Sequence, residues 1–149
     1  MKRLVPLAVV ALLALAGWRW WAGRAPDRVY RAFAEEWAKG RTDLALAFAE
    51  GAAVEKALAE KALTKVVGVG MDARHGIVTG VESKAKTPDG DVVLHGRQSV
   101  WFDPPGVSSA LGGAMVATFT HDVTLRETPA GWKVVAFDAK RVSVGDARP

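Results

Sequence analysis

The chain opens with a short basic start and an apolar run, Leu4 to Gly17, which is followed by a cluster of three tryptophans. This order is typical of an export signal or a membrane anchor. As a helix, Leu4 to Gly17 rises only about 21 Å, whereas residues 4–22 rise about 28 Å and approach the thickness of a hydrocarbon core. We therefore predict a membrane anchor over residues 4–22. The alternative is a signal peptide that is cleaved near Ala16, where small residues alternate.

Apolar residues recur at helical spacing in the next part of the chain. Tyr30, Phe33 and Trp37 follow this spacing, and it predicts a first helix over Asp27–Lys39 that stops at Gly40. A second helix is predicted to begin at Thr42, and a third over Ala52–Leu63. Residues 26–63 therefore form a helical segment of two to three helices.

The pattern changes to that of strands after residue 64, where valine, threonine and aromatic residues alternate with polar ones. Turn residues at 87–91 and 128–131 predict two tight hairpins, so neighbouring strands should be antiparallel. The connection 104–113 is rich in Gly, Pro and Ser and is a candidate flap. The predicted strands are a short one, Val66–Met71, and four long ones, Ile77–Lys86, Val92–Asp103, Met115–Glu127 and Trp132–Val144.

Helices that precede an antiparallel meander predict an α+β fold. We expect the helices to cover one side of a curved sheet of about four long strands, in a single domain of residues 26–149 behind a leader of residues 1–25. With the leader retained, this domain lies outside the cytosol on a single-pass anchor in the cell envelope. With the leader cleaved, the domain is secreted to the periplasm.

The net charge of +4 belongs entirely to the leader region, where Lys2, Arg3, Arg19 and Arg24 lie. The remaining 16 basic residues equal the 16 acidic ones, all of which follow residue 25. Since nucleic-acid binding depends on clustered cations, we expect no nucleic-acid partner. The chain has no cysteine, which excludes disulfides, thiolate metal sites and cysteine nucleophiles.

His121 is the candidate for chemistry, because it occupies an inward position of the third long strand between Phe119 and Val123. In a hairpin centred between residues 129 and 130, position 121 faces Asp138. An Asp in that position would orient a His as a general base. The pair predicts either a catalytic site or a structural pair inside the core.

A second candidate site lies on the second long strand, Val92–Asp103. His95, Arg97 and Trp101 share one face and, together with Phe119, form a candidate ligand-binding set if that face is inward. The opposite face carries Val92, Leu94, Val100 and Phe102, which favours exposure of His95 and Arg97. The three histidines lie on separate segments without metal-ligand spacing, so we expect no metal and no cofactor.

Several segments resemble the nuclear transport factor 2-like superfamily, whose members have a cone-shaped, cystatin-like α+β fold. The resembling residues are Phe33 to Gly40, then Leu44, Ala47, Phe48-Ala49 and Gly51-Ala52, and finally Leu125 to Val135 with its Gly131-Trp132-Lys133-Val134-Val135 ending. The resemblance implies a conical pocket and frequent dimerisation, so a homodimer is possible. Its members include isomerases and dehydratases, non-catalytic modules, and assembly parts of envelope complexes behind one membrane helix. The first helices here lack the acidic or His–Asp pattern of the catalytic members.

Three functions follow from these observations. The first is a non-catalytic binding or assembly module of the cell envelope, with a protein partner and with the membrane contacted through residues 4–22. The second is an isomerase, dehydratase or cyclase that uses His121 and Asp138. The third is a carrier of a small apolar ligand.

Overall fold

The computed structural model describes residues 25–62, 73–103 and 115–146, and these form an α+β fold. The predicted order of helices before an antiparallel sheet is confirmed. Three helices come first, α1 (Ala25–Ala38), α2 (Thr42–Leu46) and α3 (Ala52–Glu60), and four strands follow, β1 (Ala73–Lys86), β2 (Val92–Asp103), β3 (Met115–Thr128) and β4 (Gly131–Asp146).

The four strands form one open sheet in the order β1-β2-β3-β4, and every neighbouring pair is antiparallel. Both predicted hairpins are present. In the first, the Thr87 amide donates to the Asp91 carbonyl at 2.8 Å. In the second, Gly131 has a φ of 102°, a left-handed conformation that glycine adopts without a Cβ penalty.

The helices cover one face of the sheet, and the core lies between them. From α1, Tyr30, Phe33 and Trp37 are buried with Phe119 of β3 and Phe137 of β4. Burial alternates along β2 and β3, as expected for a sheet with one packed face and one more exposed face. We call these the inner face and the outer face.

The bounds of several elements differ from the predicted ones. Helix α3 ends at Glu60, three residues before the predicted Leu63, and β1 begins at Ala73, four residues before Ile77. Hydrogen bonds across the sheet extend β1, because Ala73 pairs with Asp103 even though the sequence there does not alternate. The predicted strand Val66–Met71 and the candidate flap 104–113 lie outside the described residues.

The predicted anchor over residues 4–22, and the cleavage position near Ala16, also lie outside the described residues. Among the helices that the structure describes, none is both long enough and apolar enough to cross a bilayer.

Candidate functional site

His121 lies in the interior of the domain, on the inner face of β3. Its side chain is 0% exposed. The Tyr30 hydroxyl lies 3.0 Å from its Nδ1 atom, and the rings of Trp37 and Phe137 pack edge-on against the imidazole at centroid distances of 5.0 and 5.4 Å. The predicted inward position of His121 is therefore confirmed.

This environment keeps the imidazole neutral. Burial lowers the pKa of His121 from 6.5 to about 4, and it outweighs the charge of Asp122, which acts to raise the pKa. Burial also raises the pKa of Tyr30. The Nε2 atom of His121 has no hydrogen-bond partner in the described chain. A histidine with this pKa and no exposed surface is poorly suited to take a proton from a substrate at neutral pH.

Gly96 makes room for the contact between Tyr30 and His121. It pairs directly with His121 across β2 and β3. A Cβ atom on Gly96 would lie 1.8 Å from the Tyr30 hydroxyl oxygen, so only glycine fits there. Our sequence reasoning missed this position. An isolated glycine in the middle of a strand was the available signal, because it often marks a close approach of another group.

Gln98 is, with His121, one of the two buried polar side chains of the described residues, and our sequence reasoning missed it. It is 0% exposed on the inner face of β2. Its Nε2 donates to the Ala34 carbonyl at 2.9 Å and to the Thr79 hydroxyl at 2.8 Å. The Gln98 side chain of β2 therefore connects α1 to the neighbouring strand β1. Its Oε1 atom has no hydrogen-bond partner among the described residues.

The structure does not bring His121 and Asp138 together, so the predicted register is wrong by one residue. The hairpin arithmetic holds from Thr128 to Leu125, which pairs with Val134. Val135 is then an extra residue, a β-bulge, and beyond it Asp122 pairs with Asp138 while His121 pairs with Ala139. The shift keeps Phe137 on the inner face, where it is buried.

Asp138 has partners of its own on the surface. Lys61 lies 3.2 Å and Lys140 lies 3.6 Å from its carboxylate. Burial raises the pKa of Asp138, but the hydrogen bonds and charges of these lysines outweigh it, so the pKa is lower than usual.

The signal for the bulge at Val135 was the spacing of Val134 and Phe137, which are three residues apart and cannot share a face in a regular strand.

The four candidate ligand-binding residues do not line one site. His95, Arg97 and Trp101 lie on the outer face, whereas Phe119 is fully buried on the inner face. His95 is exposed and contacts Asp122, and Arg97 is exposed and lies 3.4 Å from Glu82. The outer position of His95 and Arg97 follows the alternative reading of β2, in which Val92, Leu94 and Val100 form its buried face.

An open groove lies at the surface between α1 and β1. It has a volume of about 180 Å³ and is lined by Arg31, Glu35, Ile77 and Thr79. His121 does not line it. The described side chains include no cluster of three or more His, Asp or Glu residues that could hold a metal ion.

Comparisons of this chain with protein-family models, with curated proteins and with solved structures gave no match.

Proposed function

We propose that this protein is a non-catalytic binding or assembly module of the cell envelope, tethered by residues 4–22. One observation carries the proposal: His121, the residue best suited to catalysis, is fully buried and hydrogen-bonded to Tyr30. A catalytic base must reach its substrate. The Tyr30–His121 pair instead has the features of a structural pair, in which each buried polar group supplies a partner for the other.

The surface supports a binding role. On the outer face, Arg97, Thr120 and Lys140 form one cross-strand row, and His95, Asp122 and Asp138 form the next. Neighbouring rows of opposite charge on an exposed sheet favour recognition of a protein surface, because complementary charges orient the partners. The groove between α1 and β1 carries charged side chains, so it does not favour a carrier of an apolar ligand.

Under this proposal, the tether joins the domain where α1 begins. Asp27, in the first turn of α1, lies 2.8 Å from Lys84 near the β1–β2 hairpin. An anchor that precedes α1 therefore joins the domain at the hairpin end of the sheet. Under this proposal the opposite end of the sheet points away from the membrane. The order of helices and strands also suits membership of the nuclear transport factor 2-like superfamily, which we include in the proposal.

Fractionation of cells that make the full chain tests the tether. We expect the intact protein in membranes washed with alkaline carbonate, with release only by detergent. We also expect protease added outside the cytoplasmic membrane to degrade the domain. A chain that starts near Gly17 and is recovered in the soluble periplasmic fraction would contradict the tether but leave an exported module.

Cross-linking in intact membranes distinguishes binding from catalysis. The His121→Leu variant replaces the imidazole by an apolar group of similar size, and Glu60→Gln, at an exposed residue of α3 outside the charged rows, is a surface control. For a binding module, we expect both folded variants to cross-link the same partner in the same amount as the parent chain. Discovery of a turnover that His121→Leu abolishes, while the variant stays folded, would instead establish an enzyme.

A further inference from the structure

The two edge strands of the sheet, β1 and β4, differ in whether another segment of the chain pairs with them. At β4, the segment after α2 pairs with the strand: the Glu50 amide donates to the Val134 carbonyl, and the Val134 amide donates to the Phe48 carbonyl, both at 2.9 Å. At β1, no backbone segment within the described ranges pairs with the edge of the strand that faces away from β2. An unpaired edge of this kind is a template for another strand.

The direction of one hydrogen bond shows which β1 groups point outward. The Arg31 guanidinium of α1 donates to the Thr79 carbonyl. In an antiparallel strand, the backbone groups of alternate residues point to the same side. Ile77 and Val81 therefore direct their amides and carbonyls away from β2, as Thr79 does.

Two bulges define the length of this free edge. The pairing of β1 with β2 shifts at His75 and again at Glu82, and it is regular from Gly76 to Val81. Bulges interrupt strand pairing, so an added strand would match six residues. Val78, on the outer face of this stretch, is 62% exposed and offers an apolar contact.

The groove between α1 and β1 adjoins this edge on the inner side. Of its two charged side chains, Glu35 forms an ion pair with Lys39. Arg31, by contrast, has a neutral carbonyl as its hydrogen-bond partner and forms no ion pair with a carboxylate of the described chain. The groove therefore presents a cation to whatever lies beside the strand.

We propose that residues 76–81 of β1 accept an extended segment of a partner protein as a fifth strand, with an acidic side chain of that segment in the groove against Arg31. This inference rests on the proposed binding function. The partner's amide replaces Arg31 at the Thr79 carbonyl. The released guanidinium then pairs with a carboxylate, and this charged pair is stronger than its bond to a neutral carbonyl. Backbone pairing supplies affinity, and the groove selects the side chain.

A second copy of the chain is a poorer occupant of the same edge. Antiparallel pairing of two β1 strands about a two-fold axis puts both helix-covered faces on the same side of the joined sheet. The two Arg31 side chains would then lie near each other, and like charges disfavour this arrangement. An acidic segment meets no such opposition.

Peptide selection tests the proposal on the full chain in detergent micelles. A phage-displayed library of random twelve-residue peptides is selected in parallel on the parent chain and on Val81→Pro. Proline at this position removes an outward amide without removing a bond to β2. We expect the parent alone to enrich peptides in which β-branched residues alternate around an Asp or Glu.

Affinity measurements on the enriched peptide test the groove. Arg31→Gln should weaken binding about tenfold, as expected for loss of a charged pair, whereas Arg41→Gln, at an exposed residue paired with Glu36, should not. A peptide with Gln in place of its acid should bind the parent and Arg31→Gln equally. Bound peptide should also slow amide hydrogen exchange at Ile77, Thr79 and Val81, a readout that needs no variant.

Three outcomes of the peptide selection would overturn the proposal: equal enrichment on Val81→Pro and the parent, no enrichment on either, or enrichment of basic peptides. A dimer of the parent that Val81→Pro dissociates, measured by light scattering, would make a second copy the occupant. If Val81→Pro still cross-links the same membrane partner as the parent, the binding function stands and the β1 edge is not its site.

Discussion

The Tyr30 hydroxyl and Nδ1 of His121 lie 3.0 Å apart in the core, and this hydrogen bond joins α1 to β3. Both side chains are 0% exposed. A buried polar group that loses its partner cannot form a hydrogen bond with water instead. Removing either side chain of the pair therefore lowers stability mainly because the other side chain is left without a hydrogen-bond partner. The pair also specifies how α1 sits on the sheet, since an apolar contact would not require one position.

Tyr30→Phe should therefore destabilise the domain. The variant keeps the ring and leaves Nδ1 of His121 unpaired, which should lower the free energy of unfolding by about 1–3 kcal/mol. Urea denaturation followed by tryptophan fluorescence measures the change. In a His121→Leu background the same substitution should be neutral or stabilising, because it removes a buried hydroxyl that the leucine has left without a partner. Equal effects in both backgrounds would show that the hydrogen bond contributes nothing.

Acid should weaken the fold in a pH range set by His121. Its pKa is 6.5 in the unfolded chain and about 4 in the fold, because burial disfavours the charged form. Between pH 6.5 and 4, His121 therefore binds a proton in the unfolded chain but not in the folded one. Stability is complete above pH 6.5 and is lost as pH falls towards 4, by roughly 3 kcal/mol.

Urea denaturation at several pH values measures this loss, and two variants identify its source. His121→Leu should remove the slope between pH 6.5 and 4, and exposed His95→Gln should retain it. The lowered pKa values of Asp91 and Asp138 act below pH 3.8 and therefore outside this range. A slope that persists in His121→Leu would assign the proton to another group.

Gly96→Ala should be far more damaging than an ordinary glycine substitution. The added methyl would lie 1.8 Å from the Tyr30 oxygen and 2.4 Å from the ring carbon that bears it, so the tyrosine must move and lose its bond. We expect a loss of about 3 kcal/mol. Gly80→Ala is the matched control, because its Cβ would be 3.9 Å from the nearest atom, an ordinary contact. Thermal unfolding of both variants measures the difference, and similar melting temperatures would contradict the predicted clash.

Local patterns in the sequence predicted the fold class and the orientation of the strands, because each depends on neighbouring residues. Alternation along β3 correctly assigned Phe119 and His121 to the core. The partners of those residues depend on contacts between distant segments. Tyr30 is 91 residues from His121, and no spacing rule connects them. The bulge at Val135 was missed because the arithmetic of a hairpin assumes regular pairing, so one extra residue reversed the face of Asp138.

Engineered disulfides test this register, and the chain suits the experiment because it has no cysteine of its own. Cysteines at positions 122 and 138 (Asp122→Cys with Asp138→Cys) lie directly opposite each other and should form a disulfide under mild oxidation. Without the bulge at Val135, these positions would lie on opposite faces, and both thiols would stay free.

Two further pairs complete this test. Arg126→Cys with Lys133→Cys lies before the bulge and should cross-link in either register, which shows that oxidation works. Thr120→Cys with Ala139→Cys should stay reduced, because Thr120 lies on the outer face and Ala139 is buried on the inner face, whereas a regular hairpin would pair these two positions. Mass spectrometry after thiol alkylation counts the free cysteines. A disulfide in the 120/139 pair and free thiols in the 122/138 pair would restore the regular hairpin, and with it the contact between His121 and Asp138 that an enzyme of this kind requires.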